Sequence, residues 1–291
     1  MPLIQISGIH IAYELLGKER DPAVAITPGG RFSKDSQGVR ELAVELASRG
    51  KRVLIWDRPN CGASDLAFDG PGESRLHAET LVGLIDALEL GKTALVGGSA
   101  GSRVSLLAAI YKPEAVSHLV VWWISGGFIS LMMLGAYYCC GSAIAAQNAG
   151  MEAVAQLPVW SEQLRRNPRN REILLNQDPQ KFVATMERWA KTFIPAEGSP
   201  LPALTQADLN KLQMPVLIFR GSPTDLFHPA EASEWLHQRI SHSELIALPW
   251  PDDIFATRMA EAERTGDGHF VDWPDLAPTI LEFVSTKRAA A

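Results

Sequence analysis

Apolar and polar residues alternate through the first fifteen positions, with Leu3, Ile4, Ile6, Ile9, Ile11 and Tyr13 arranged about Gly8. This is the period-two pattern of an antiparallel hairpin. Apolar runs then recur at 23–27, 52–56, 93–96 and 119–124, separated by stretches whose spacing predicts helices at 37–48, 73–88 and 101–111. Runs such as Val53-Leu54-Ile55-Trp56 suit strands buried on both faces, and β-α alternation with short links predicts a parallel, doubly wound sheet. The rhythm stops at 128. From there to 212 the pattern is helical, as in Phe182, Met186, Trp189 and Phe193, and prolines interrupt it repeatedly between Pro158 and Pro202. It resumes with a strand at 216–219, a helix at 230–240, a strand at 245–248 and a terminal helix at 276–287. The expectation is one α/β core built from 1–127 and 213–291, with a helical cap inserted over 128–212.

Composition narrows the function classes. The 291 residues are 46% apolar and 21% charged, as in an ordinary globular chain. A net charge of -6, with Lys and Arg scattered, supplies no basic footprint for nucleic acid. No charged residue occurs between Leu119 and Gly150, longer than the roughly 20 apolar residues that span a bilayer. Gly126-Gly127, the polar residues Ser125, Ser130, Ser142, Gln147 and Asn148, and the lack of basic flanks favour a buried strand running into a pocket-lining segment, with no membrane partner. Cys61, Cys139 and Cys140 are an odd set with an adjacent pair unsuited to a structural bridge, which favours a reducing cytoplasm. The first residues lack a basic segment followed by an apolar one, so export is not indicated.

The chemistry concentrates where strand 93–96 runs into Gly97-Gly98-Ser99-Ala100-Gly101 and then into a helix. This strand-turn-helix context gives G-x-S-x-G its meaning as a nucleophile elbow. Small residues are needed because the serine sits at strained angles on a sharp turn, and the next helix aims its amides at developing negative charge. A serine needs a base, and the base an orienting acid. Asp225 follows the strand at 216–219, at the carboxyl end where catalytic groups collect. The competing acid position after 124 offers only Ser125-Gly126-Gly127. His269, in Gly266-Asp267-Gly268-His269-Phe270, is the expected base, completing the chain order Ser99, Asp225, His269. His228, beside Asp225, and His10, His77, His118 and His237 are expected to be structural or surface residues. Oxyanion donors are expected at the amides of Ala100 and Gly30, with Arg31 as the second choice for the latter.

Four motifs in order now resemble those of the α/β-hydrolase superfamily: Pro28-Gly29-Gly30, Asp57-Arg58-Pro59-Asn60-Cys61-Gly62-Ala63-Ser64, the elbow at Ser99, and Gly268-His269 after Asp225. The resemblance spans nearly the whole chain. It implies a mostly parallel eight-stranded sheet flanked by helices, a cap between the sixth and seventh strands, and a mainly architectural role for 57–64. Pro28-Gly29 departs from the usual His-Gly. The link from Leu248 to His269 is also longer than usual and carries an extra helix near 255–264, expected to fold over the site. The elbow looks like that of proline iminopeptidases, without their His-Gly-Gly-Pro-Gly loop. Trp273 looks like the carbon-carbon bond hydrolases of aromatic catabolism, although it equally suits a core position. A serine nucleophile argues against haloalkane dehalogenase and epoxide hydrolase chemistry.

The segment from Phe128 through Met132 to Tyr137 offers an apolar, adaptable surface to a small-molecule substrate. Met132, Tyr137 and Trp273 are therefore candidate substrate contacts. Arg31 would meet a substrate carboxylate, or form an ordinary salt bridge. The residues require no metal and no cofactor, and leave room for a homodimer. Three functions follow. The chain cleaves a small, largely apolar ester or lactone through an acyl-enzyme on Ser99; or it hydrolyses a carbon-carbon bond in a ring-fission keto acid; or it is a non-catalytic ligand-binding relative.

Overall fold

The opening alternation folds as the hairpin β1 (Leu3–Ile6) and β2 (Ile9–Leu16), which turns at Ser7 and Gly8 with φ of 48° and 87°. This is a computed structural model, and it describes residues 2–202, 204–266 and 268–285. The predicted β-α rhythm follows as β3 (Ala23–Thr27), α1 (Val39–Ser48), β4 (Arg52–Trp56), α2 (Glu73–Ala87), β5 (Thr93–Gly98), α3 (Ala100–Tyr111) and β6 (Val116–Trp122). The chain then leaves the sheet for α4 (Phe128–Gly135), a π-helical turn, α5 (Gly141–Ala155), α6 (Pro158–Arg166), α7 (Arg169–Leu175), α8 (Pro179–Lys191) and the short α9 (Gln206–Leu209). It returns through β7 (Val216–Phe219), α10 (Ala230–Arg239), β8 (Ser243–Ile246), α11 (Ile254–Thr265) and α12 (Ala277–Ser285). The last residues of the predicted terminal helix, 286 and 287, lie outside the described residues.

The eight strands form one sheet in the order β1-β2-β4-β3-β5-β6-β7-β8. The pairings β1-β2 and β2-β4 are antiparallel, and every later one is parallel. The uninterrupted runs are buried on both sides because alternate residues serve two cores. Leu54, Trp56, Leu95, Leu119 and Val121 pack with α2, α3 and α10, whereas Val53, Ile55, Val96, Val120 and Trp122 pack with α1 and α12. A third apolar cluster joins the inserted helices to the segment before α2, around Phe68, Trp160, Phe182, Met186 and Trp189.

Two strands sit earlier than the pattern predicted. β6 begins at Val116 and ends at Trp122, because Trp123 turns to φ 48° and stops the pairing. β8 ends at Ile246, just before Pro249 and Pro251 carry the chain away from the sheet. The charge-free run forms most of a 39-residue helical stretch, Phe128–Arg166, which by length and composition is apolar enough to cross a membrane. Its geometry is not that of one straight helix: Gly150 breaks it at φ 75° and ψ -174°. One side, including Leu131, Cys139, Ala146 and Val154, is buried in the protein.

Candidate active site

The elbow is built by exclusion of side chains. Ser99 takes φ 56° and ψ -124° between β5 and α3, a left-handed setting that costs a non-glycine residue energy and that the surrounding structure must hold. A Cβ at Gly97 would strike the Gly101 carbonyl, and one at Gly101 would strike the Thr27 carbonyl. The turn is further fixed by the Ser99 N–H donating to Trp122 O at 3.1 Å and by Ser102 Oγ donating to Ser99 O at 2.6 Å. The serine hydroxyl is thereby carried out over the carboxyl edge of the sheet.

The imidazole that meets it is His228. Its Nε2 lies 2.9 Å from Ser99 Oγ, and its Nδ1 lies 2.8 Å from Asp225 Oδ2. Asp225 makes this geometry locally: its Oδ1 accepts the amides of Phe227 at 2.8 Å and His228 at 3.1 Å. The loop therefore curls back and turns the ring of residue 228 onto the second carboxylate oxygen. Burial pushes the Asp225 carboxyl up, but the hydrogen bond and charge of His228 and the two amides outweigh it and hold the group below the usual carboxylate range. An ionised carboxylate accepts only, so Nδ1 carries the proton and Nε2 is left to accept the Ser99 hydroxyl. The ring is 2% exposed. Trp123 stacks on it at 5.8 Å between centroids, and Phe255 meets it edge-on at 4.5 Å.

This corrects the expectation for the base. His269 packs its ring against Phe32, 4.5 Å away, beside the loop after β3, and does not hold the Ser99 hydroxyl. The physical reason lies in the long link after β8. Its helix α11 brings Phe255 onto Trp123 and His228, so the link closes the far side of His228 and delivers His269 on the other flank. Asp267, in the same predicted motif, lies outside the described residues. The signal for His228 was the short spacing itself, an aspartate whose side chain caps the turn carrying a histidine three residues on.

Gly30 and Ala100 both line the cleft that contains Ser99, a narrow space of about 70 Å³. The loop bearing Gly30 is tied down by Arg58, whose Nη2 donates to the carbonyls of Gly29 at 2.9 Å and Phe32 at 3.3 Å. The motif at 57–64 thus supports the loop that bears Gly30. Asp57 in turn accepts Lys34 N at 2.6 Å and Ala63 N at 2.8 Å.

The expected substrate contacts divide. Arg31 lines the cleft, but its guanidinium is spent on Glu73 through bonds of 3.1 and 3.2 Å and lies over Trp160. The cap side of the cleft is formed by Leu131, Leu134, Tyr138 and Phe193. Met132 and Tyr137 are not among the cleft residues; Tyr137 is 59% exposed, because the π-helical turn presents Tyr138 inward instead. Trp273 is a core residue, fully buried against Trp122 at 4.7 Å and Phe270 at 4.4 Å beneath the elbow. Burial pushes the thiols of Cys61 and Cys139 up to about 12, which makes them inert neighbours of the cleft. No group of metal-ligating side chains occurs among the described residues.

His77 also faces this cleft, with Nε2 2.8 Å from Pro59 O. Burial pushes its imidazole down to about 3, so it is neutral and Nε2–H donates to the carbonyl. The unfolded chain binds that proton near pH 6.5, whereas the folded chain refuses it, so stability falls as pH drops from about 6.5 towards 3. Between pH 7 and 4.5 the wild type is expected to lose about 2 kcal/mol more unfolding free energy than His77→Gln. Urea denaturation at the two pH values measures this; equal losses would refute it.

Comparison with known proteins adds four findings. A family profile described as the alpha/beta hydrolase fold matches residues 22–122. The human protein named Serine hydrolase BPHL is 26% identical over 254 residues, covering 84% of this chain and 77% of the relative. A pimeloyl-[acyl-carrier protein] methyl ester esterase of Nitrosomonas europaea is 29% identical over 228 residues, covering 73% and 82%. Among solved structures, the α/β hydrolase MGS-M2 from a Medee basin deep-sea metagenome library superposes with a TM-score of 0.63 at 18% identity, covering 100% of this chain and 99% of that one.

Proposed function

The chain belongs to the α/β-hydrolase superfamily and is a hydrolase; from that premise we propose that it cleaves a small, largely apolar carboxylic ester or lactone through an acyl-enzyme on Ser99. The observation that carries this reading is the continuous hydrogen-bond chain from Ser99 Oγ through His228 to Asp225, with links of 2.9 and 2.8 Å. Attack of Oγ on the substrate carbonyl passes the hydroxyl proton to His228 Nε2. The Asp225 carboxylate stabilises the imidazolium that results. The amides of Ala100 and Gly30 receive the oxyanion. His228 then gives its proton to the leaving alcohol, and a water activated by the same ring releases the acid. Leu131, Leu134 and Phe193 give the apolar part of the substrate a wall to pack on.

A fluorophosphonate probe tests this directly. Ser99 is expected to be labelled in the wild type, and label is expected to vanish in Ser99→Ala. Label that persists in the variant, or never forms, removes the catalytic reading and leaves a ligand-binding protein. Strong turnover of a coloured ring-fission dienoate, with negligible cleavage of p-nitrophenyl esters, would instead move the reaction to a carbon-carbon bond.

A further inference from the structure

Arg103 stands one turn after Ser99 on α3 and lines the same cleft. Its Nη1 donates to Pro202 O at 3.1 Å, and among the described residues no carboxylate pairs with it. Burial alone acts on the guanidinium, pushing it down to about 10. Arg58, 1% exposed, lines the cleft as well, and its Nε and Nη1 have no hydrogen-bond partner. Among the described cleft residues the one carboxylate is Glu73, already taken by Arg31 and by Asn60 Nδ2 at 3.0 Å. Two cations beside the nucleophile are therefore uncompensated. Burying a charge without a partner is costly, and a low-dielectric cleft of one sign attracts the opposite one.

We propose that Arg103 is a specificity-determining residue that binds a free carboxylate on the substrate, with Arg58 reinforcing the field, so that the preferred substrate is an ester or lactone that carries a second, free carboxylate, such as the half-ester of a dicarboxylic acid. This rests on the reading of Ser99 as the nucleophile and names its substrate class. The planar guanidinium fork matches a carboxylate. Leu106, Val121, Leu204 and Leu236 wall the space behind Arg103, whose guanidinium is the one charged group among the described residues that line it.

Monoethyl adipate and diethyl adipate share a chain and differ in one charge. The wild type is expected to hydrolyse the half-ester with a kcat/KM at least about tenfold higher than the diester. Arg103→Gln is expected to bring that ratio down to about one, and Arg103→Lys, which restores the charge without the fork, to recover part of it. Calorimetric binding of monoethyl adipate to Ser99→Ala, set against Ser99→Ala/Arg103→Gln, reads the anion site without any chemistry. Binding that depends on Arg103 in a protein that hydrolyses neither ester keeps the anion site and sinks the nucleophile reading. Hydrolysis of both esters at equal kcat/KM, or binding unchanged by loss of Arg103, overturns the proposal.

Discussion

Replacing His228 by alanine is expected to lower kcat by roughly 10⁴-fold or more, while replacing His269 by alanine lowers it by no more than about tenfold. The asymmetry follows from contact. His228 Nε2 sits 2.9 Å from Ser99 Oγ, within reach for proton transfer, whereas the His269 ring is engaged with Phe32. Loss of His228 leaves Ser99 as an ordinary alcohol, a poor nucleophile at neutral pH. Because alanine also empties space beneath Trp123 and Phe255, His228→Gln serves as a second variant that refills most of the volume; it is expected to lose activity to a similar extent. Both measurements use initial rates on a p-nitrophenyl ester, with thermal melts to show that each variant folds. A large loss in His269→Ala with near-normal His228→Ala would transfer the base to the loop after α11.

What the sequence revealed of this site, and what it concealed, divides along a physical line. The elbow was legible because its chemistry is backbone chemistry: only small residues fit at Gly97 and Gly101, where a Cβ would meet carbonyl groups. The strands were legible because a parallel sheet buries both faces and so writes continuous apolar runs. Asp225 was legible from its place after β7. The imidazole that meets Ser99 was not, because choosing between His228 and His269 requires knowing where a twenty-residue link lies in space, and no local pattern records that Phe255 folds back onto Trp123. The inward side of the cap was hidden for a similar reason. A π-helical turn at Ala136–Cys140 shifts the helical phase, so Tyr138 rather than Tyr137 faces the cleft. Trp273 misled because an aromatic residue a few positions after a histidine looks the same in sequence whether it lines a pocket or fills a core.

Asp225→Asn is expected to reduce kcat by about 10³ to 10⁴-fold with little change in KM, since Asp225 holds the His228 ring and is not among the residues lining the Ser99 cleft. The carboxylate fixes one tautomer: it can only accept, so His228 Nδ1 must carry the proton and Nε2 must be free to accept from Ser99. An asparagine can turn its NH₂ to Nδ1, which places the imidazole proton on Nε2 and leaves the serine hydroxyl with no acceptor. The same lowered pKa sets a pH window. Burial raises the Asp225 carboxyl, but His228 and the amides of Phe227 and His228 hold it below the usual range. Its contribution to stability is therefore complete above the ordinary carboxylate value near ~3.9 and is lost as pH falls through the lower folded value. Across pH 5 to 8 the carboxylate stays ionised, so the wild-type rate profile in that window owes nothing to Asp225. Steady-state kinetics of Asp225→Asn at pH 7.5 decide the matter. A kcat within tenfold of the wild type would mean that the tautomer of His228 is not set by Asp225, and a rise in KM with kcat intact would place Asp225 in contact with substrate instead.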